Sequence, residues 1–353
     1  MKNIVYIRVD TRGGLHIMIN NKRVTRADVA KHANVSETIV SYVINNNRYV
    51  SREKRERVEA AIRELNYRPN NVARTLKGKQ SNQIIFIADQ ITNEYFSRIV
   101  SNMDKFAYNH GYLISLCANR NSQEFVSQVI SRQYDGIIIS STSFPDEYVQ
   151  QFIDANIPLV LFMNRRYHNI PKNVGIINSG LYSGARECVK HLAAKGRRHI
   201  LYIDRISSKG TKSTMDDLRL SGFVDQMHES KLEFTEKQII AGCYSEEQVE
   251  EEIIKRIQDG LKVDGIFGRN DMLACVAMSA VKRMNLKVPE DISVIGYDNS
   301  SISRFCSPKL TTMEMQQEEI SHAAIDMLQR IIDGKEGDLK ASFKTNLILR
   351  EST

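Results

Sequence analysis

Residues 25–46 constrain the fold more than any other stretch of the chain: Thr25-Arg-Ala-Asp-Val-Ala-Lys-His-Ala-Asn-Val-Ser-Glu-Thr-Ile-Val-Ser-Tyr-Val-Ile-Asn-Asn46 reads as two short helices joined by a tight turn. Thr25 is an N-cap with Asp28 three residues on, so a hydroxyl and a carboxylate can satisfy amides that a helix start leaves unpaired. Val29, Ala30 and Ala33 line one side of the first helix. Ser36 caps a second helix, in which Val40, Val43 and Ile44 form the inward face. The small residues Ala30, Ala33 and Asn34 allow close approach through a short connection. Glu37, Thr38, Ser41, Tyr42 and Asn45 lie opposite the apolar stripe. A helix-turn-helix of this kind ordinarily lays its second helix in the major groove of DNA.

Charge separates this segment from an ordinary helical hairpin with a solvated face. Residues 1–80 hold 17 Lys plus Arg against 7 Asp plus Glu, whereas the rest of the chain holds 32 against 35. The whole basic excess of a chain with net charge +7 is therefore N-terminal, which is the footprint that attraction to phosphate requires. Ser51 to Asn66 reads as a third helix, with Val58, Ala61, Ile62 and Leu65 as its apolar stripe, and Pro69 breaks the helical pattern beyond it. Residues 1–23 form an extension expected to be disordered or dispensable, although Ile4-Val5-Tyr6-Ile7 and Gly13-Gly14 could make a small hairpin.

From Asn82 onward the grammar changes. Ile84 to Ala88, Leu113 to Cys117, Gly136 to Ile139 and Leu159 to Phe162 are short apolar runs of the kind buried in parallel sheets, separated by amphipathic segments such as Phe96 to His110 and Glu124 to Arg132. The pattern restarts at Ile200 to Ile203, Gly265 to Phe267 and Ile292 to Ile295. Two α/β lobes are implied, and ligands in such folds sit at the carboxyl ends of the strands. At 353 residues the chain has room for two or three such units. Its five cysteines, Cys117, Cys188, Cys243, Cys275 and Cys306, are scattered without a Cys-x-x-Cys pair, and no apolar stretch is long enough to span a bilayer. A soluble cytoplasmic protein with reduced thiols and no membrane role is expected.

With these segments in place, a resemblance stands out. Val24-Thr25-x-x-Asp28-Val29-Ala30-x-x-Ala33-x-Val35-Ser36, Val50-Ser51, and Arg57-Val58-x-x-Ala61-Ile62-x-x-Leu65-Asn66-Tyr67-x-Pro69-Asn70-x-Val72-Ala73-Arg74-x-Leu76 resemble the DNA-binding head and hinge of the lactose repressor/galactose repressor (LacI/GalR) family of bacterial regulators. Asn270-Asp271, the run Val288-Pro289 to Tyr297-Asp298, and Pro308-x-Leu310-Thr311-Thr312 extend the resemblance through the second half. It implies an all-α helix-turn-helix head before a two-lobed core like that of periplasmic binding proteins, acting as a homodimer on a pseudo-palindromic double-stranded DNA operator. A small-molecule effector, sugar or sugar-like, would bind between the lobes; no cofactor is implied.

The domains expected from it are an extension at 1–23, a head at 24–69, a hinge helix and linker at 70–81, and a core at 82–353. Within the core, the N-lobe takes about 82–178 and 299–339, and the C-lobe about 179–298 and 340–353. The resemblance places DNA contacts at Thr25, Ser36, Glu37, Thr38, Ser41, Tyr42 and Asn45. In the hinge it adds Asn70, Ala73, Arg74 and Leu76. The hinge leucine is expected as a minor-groove wedge, or alternatively as a linker residue packed on the core. Effector contacts are expected at Tyr95, Phe96, Asn164, Asn178, Arg219, Tyr244 and Asp271.

Two departures bear on specificity. Family recognition helices commonly read Thr-Val-Ser-Arg where this chain has Ile39-Val40-Ser41-Tyr42; tyrosine offers one hydroxyl and an apolar ring instead of a bidentate guanidinium. Asn164 and Asn178 stand where carboxylates are frequent. Enzymatic function has little support: there is no His-Glu-x-x-His, P-loop or Gly-x-Ser-x-Gly, and the histidines lack neighbours at metal-ligand spacing. A solute-binding protein without a DNA role would suit the core but not the basic head.

Overall fold

The computed structural model describes residues 5–9, 15–19, 24–68 and 80–353. Met1–Lys79 and Gln80–Thr353 are two separate units. In the first, β1 (Val5–Val9) and β2 (Leu15–Ile19) pair antiparallel, with Val5 opposite Ile19. This pairing is the only part of the extension among the described residues. Three helices come next: α1 (Arg26–His32), α2 (Glu37–Asn45) and α3 (Arg52–Glu64). Val29, Ala30, Ala33, Val40, Val43, Val58 and Ala61 are buried together, so each helix contributes the stripe its 3.6-residue period dictates. Asn34 and Asn46 take left-handed φ values of 51° and 46°, conformations that asparagine tolerates better than branched residues, and they turn the chain after α1 and α2.

The second unit holds two six-stranded sheets. One has the order β13-β7-β6-β5-β3-β4 and is wholly parallel. Its strands are β3 (Gln83–Ala88), β4 (Leu113–Ala118), β5 (Gly136–Ser140), β6 (Leu159–Phe162), β7 (Gly175–Asn178) and β13 (Lys340–Ser342). The other, in the order β14-β12-β11-β10-β8-β9, comprises β8 (Ile200–Ile203), β9 (Ile239–Ile240), β10 (Gly265–Gly268), β11 (Ser293–Tyr297), β12 (Thr311–Met315) and β14 (Thr345–Ile348). It is parallel except for the antiparallel β12–β14 pair.

Helices α4 (Glu94–Asn109), α5 (Gln123–Ser131) and α6 (Asp146–Asp154) connect strands of the first sheet, and α7 (Leu181–Ala194) leads into the second. There α8 (Leu218–Glu229), α9 (Glu246–Gln258), α10 (Asp271–Arg283) and the short α11 (Ile302–Phe305) link the strands, and α12 (Gln317–Ile332) returns to pack on α4. The central strands are buried end to end, as in Ile84 to Ala88, because helices cover both faces of a parallel sheet.

The topology moves one expected lobe boundary substantially. β12 belongs to the second sheet and β13 to the first, so the chain passes to the first lobe after Met315, not near Asp298. It returns after Ser342, three residues beyond the expected Leu339. Thr311-Thr-Met-Glu-Met315 pairs parallel with β11. Its mixed polarity hid a strand that is nonetheless almost wholly buried.

Candidate functional site

In the head, the caps form as their residue types require. Asp28 N donates to Thr25 Oγ1 at 3.3 Å while Asp28 Oδ2 accepts from Thr25 N at 2.8 Å, a reciprocal capping box. Ser36 Oγ accepts from Ile39 N at 3.4 Å. Ser36, Glu37 and Thr38 stand exposed at the start of α2, and Ser41, Tyr42 and Asn45 sit half-buried further along the same helix. Asn45 Nδ2 donates to the Ser41 carbonyl at 2.7 Å and to its hydroxyl at 3.1 Å, so these two polar residues are already tied to one another.

Tyr42 packs one side of its ring against the head core. Arg48 donates to its hydroxyl at 3.3 Å, with its guanidinium 5.3 Å from the ring centroid. Beside it Tyr49 is 93% exposed, a conspicuous position for an aromatic ring. Arg48 and Tyr49 were not singled out from sequence; the Asn-Asn-Asn-Arg-Tyr run after the helix was the available signal. The hinge expectations at Asn70, Ala73, Arg74 and Leu76 lie outside the described residues.

In the core, a cleft of about 860 Å³ opens among the carboxyl ends of strands from both sheets, within the range of small-molecule sites. Asp89 follows β3, Asn119 follows β4, Thr142 and Ser143 follow β5, Asn164 follows β6, Arg205 follows β8 and Arg269 follows β10; all line it. Gly268 makes the last of these placements possible: a Cβ there would come within 2.5 Å of Ala274 N, so only glycine lets β10 run directly into α10.

Of the predicted effector residues, Tyr95, Phe96, Asn164, Arg219 and Tyr244 line the cleft. Tyr95 and Phe96 open α4 and meet edge to face at 5.2 Å. Tyr95 is buried, and burial pushes its phenol well above the usual range. Asn164 donates to Ser140 Oγ at 3.0 Å. Tyr244 is 60% exposed and lies over Gly210, where a Cβ would come within 2.5 Å of its hydroxyl. Arg219, in the first turn of α8, is buried; it donates to the Arg269 carbonyl at 2.5 Å and to Asp298 at 3.5 Å, and its guanidinium lies 4.1 Å from the Tyr297 ring centroid.

Two expected residues are elsewhere. Asn178 is exposed, and its side chain accepts from Gly180 N at 3.1 Å; it shapes the turn into α7 and does not line the cleft. Asp271 is buried behind the wall, accepting from Ser300 N at 2.6 Å, Ser300 Oγ at 2.8 Å and the Thr312 hydroxyl. Burial raises its carboxyl to about 6. Asn270 and Met272 line the cleft on either side of it, because successive helical side chains diverge by about 100°. The acidic partner of Arg219 is Asp298, whose carboxyl burial raises to about 7.

Below the cleft, Arg269 bridges two buried carboxylates, donating to Asp217 at 2.7 Å and Asp204 at 3.2 Å. Burial alone would raise Asp217, but the adjacent guanidinium outweighs it and holds the carboxyl below its ordinary value. Asp217 also caps α8 by accepting from Arg219 N and Leu220 N at 3.0 and 3.1 Å. One ionic cluster thus fixes the helix that presents Arg219. Hydroxyls, amides and cationic forks, with aromatic faces among them, suit a polar, hydroxyl-bearing ring.

Comparison with known proteins agrees with this division of the chain. The family model for bacterial regulatory proteins of the lacI family matches residues 25–70, and that for a periplasmic binding protein-like domain matches residues 189–353. The HTH-type transcriptional repressor PurR of Histophilus somni is 33% identical over 340 residues, covering 93% of this chain and 98% of that protein. The chain belongs to the LacI family. This LacI-family chain also matches the PurR repressor of Pasteurella multocida, at 33% identity over 338 residues. The lac repressor dimer bound to operator and the anti-inducer ONPF aligns with it at a TM-score of 0.79 and 28% identity, covering 94% of this chain and 99% of that one. A regulator from Alkaliphilus metalliredigens, complexed with D-xylulofuranose, aligns at 0.64 and 29% over 77% of this chain and 99% of its own. Among the described residues, no helix is long and apolar enough to cross a membrane.

Proposed function

We propose that this LacI-family protein is a transcriptional repressor that binds a pseudo-palindromic operator as a homodimer and is controlled by a small polar effector held in the cleft. The observation that carries the reading is the union, in one chain, of a basic helix-turn-helix head with an α/β core whose strand ends enclose a cleft lined by Arg219, Tyr95 and Phe96. Operator-bound lac repressor and the D-xylulofuranose complex, both relatives above 25% identity, support the DNA and sugar-like partners respectively. Thr25, Ser36, Glu37, Thr38, Ser41, Tyr42 and Asn45, joined by Arg48 and Tyr49, form the proposed major-groove face. Asn70, Ala73, Arg74 and Leu76 form the proposed hinge contacts. Tyr95, Phe96, Asn164, Arg219 and Tyr244 hold the effector. The protein acts as a regulator in the cytoplasm and not as an enzyme, with its five thiols free.

Truncation tests the reading. Residues 80–353 form a unit of their own, so removing residues 1–79 is expected to abolish retention on DNA and leave effector binding intact. Equal DNA retention by the truncated and full-length chains would refute the assigned role of the head.

A further inference from the structure

The cleft carries more positive charge than its internal partners neutralise. Arg205, directly after β8, is half-buried; it donates to Thr142 Oγ1 at 2.7 Å and comes no nearer than 4.0 Å to a carboxylate, Asp89. That carboxylate is already occupied. It accepts from Ser141 Oγ at 2.5 Å, Thr142 N at 2.7 Å, Ser143 Oγ at 2.8 Å, Thr142 Oγ1 at 3.0 Å and Asn119 Nδ2 at 3.2 Å. Arg205 Nε is buried with no partner among the described residues.

The adjoining loop, Ser207-Ser-Lys-Gly-Thr-Lys-Ser213, also lines the cleft. It is a built turn. Ser207 Oγ accepts from Lys209 N at 3.3 Å and Thr211 N at 3.2 Å, Gly210 N donates to the Ser207 carbonyl at 2.8 Å, and Gly210 takes a left-handed φ of 62°. Ser213 anchors its far end on Asp204 through two bonds of 2.7 and 2.8 Å. The Lys212 stem packs over Gly242, 3.4 Å from where a Cβ would stand. Neither Lys209 nor Lys212 has an ion pair or a side-chain hydrogen bond within the described residues.

Arg205, Lys209 and Lys212 therefore line the same cleft, the two lysines exposed and unpaired and the arginine only partly countered. Cations gathered at a cleft raise the local concentration of anions there, and the buried Arg205 Nε leaves a donor for one to use. We infer that the effector carries a phosphate monoester, bound by Arg205, Lys209 and Lys212, with its polyol portion lying toward Tyr95 and Arg219. A phosphate monoester carries about −1.5 to −2 charge at pH 7 and matches this set better than a single carboxylate charge. The inference rests on the reading of the cleft as the effector site.

Isothermal titration of the full-length protein tests it, with ribose 5-phosphate and glucose 6-phosphate set against ribose, glucose, glucuronate and inorganic phosphate. A sugar phosphate is expected to bind about tenfold or more tighter than its parent sugar, as one charge-assisted contact implies. Added salt should weaken that preference, and K209Q/K212Q should remove most of it. Binding of a parent sugar as tight as that of its phosphate ester would overturn the inference, as would equal preference for glucuronate. The same holds if no sugar phosphate binds, or if the double variant keeps the full preference. If a neutral ligand binds and releases operator DNA, the effector reading survives and only the phosphate assignment falls. If no ligand of any kind enters the cleft, the effector reading falls with it.

Discussion

Replacing Arg269 by methionine would remove the cation that holds two buried carboxylates together while largely conserving volume. The Asp204 and Asp217 side chains are 1% and 2% exposed, and that of Arg269 is 9% exposed. Removing one partner of a buried ion pair costs about 3–5 kcal/mol, because the remaining charge has neither water nor a counter-ion. Here the two carboxylates keep other donors: Asp204 keeps Ser213 N and Oγ, and Asp217 keeps Arg219 N and Leu220 N. The loss should therefore fall near the lower end, about 3 kcal/mol. For a unit spanning residues 80–353 that lowers the melting temperature by about 5 °C.

The pH dependence supplies a second readout. In the native protein the guanidinium holds Asp217 below its ordinary value, so its contribution is present at neutral pH and lost on acidification. In R269M the strongest influence opposing burial at Asp217 is gone and its carboxyl rises, and a group raised in the folded state regains stability as pH falls. The gap between the two proteins, followed by calorimetry, should narrow from pH 8 to pH 5. A melting shift under 2 °C, or a gap indifferent to pH, would refute the assignment of Arg269 as the charge that sustains the cleft floor.

Other outcomes are expected from the same structure and sequence. Leu76→Ala should weaken specific operator binding more than non-specific binding in competition assays, since a wedge contributes only where DNA kinks; equal losses would favour the packed linker residue. Tyr42→Phe, which removes the hydroxyl held by Arg48, should alter base preference at one position per half-site in binding-site selection, and an unchanged profile would exclude base reading by that hydroxyl. Asp298 is raised by burial to about 7, so its contribution to stability is full below about pH 4 and is lost as pH rises through 7. D298N should therefore melt with a flatter pH profile than the native protein between pH 5.5 and 8, and parallel profiles would contradict a buried carboxyl that titrates there.

What the sequence disclosed, and what it withheld, divides along physical lines. The head was legible because local rules set it: Thr25 and Ser36 cap, and Val29, Val40 and Val58 recur at helical spacing. Central strands were legible as unbroken apolar runs, since both faces are covered. β12 and β14 were not, because both mix polar and apolar residues; in β12 the threonines are buried all the same. In the cleft, residues that come after strands or open helices, such as Tyr95, Asn164 and Arg219, were placed by resemblance. Asp271 was assigned to the wrong side of a wall, because one residue along a helix turns a side chain by about 100°. Arg205 and Arg269 went unremarked; each is one of many arginines in one dimension, and only the folded chain sets them against Asp89, Asp204 and Asp217.

The central claim is ligand control of specific DNA binding, and one titration addresses it most directly. The full-length protein selects duplexes from a random pool, and its affinity for the winning sequence is then measured with and without each member of a metabolite panel that includes sugar phosphates. The account predicts a two-fold symmetric site and a ligand that shifts operator affinity by about 5- to 150-fold. A protein that enriches no sequence over bulk competitor, with or without any ligand, would contradict it.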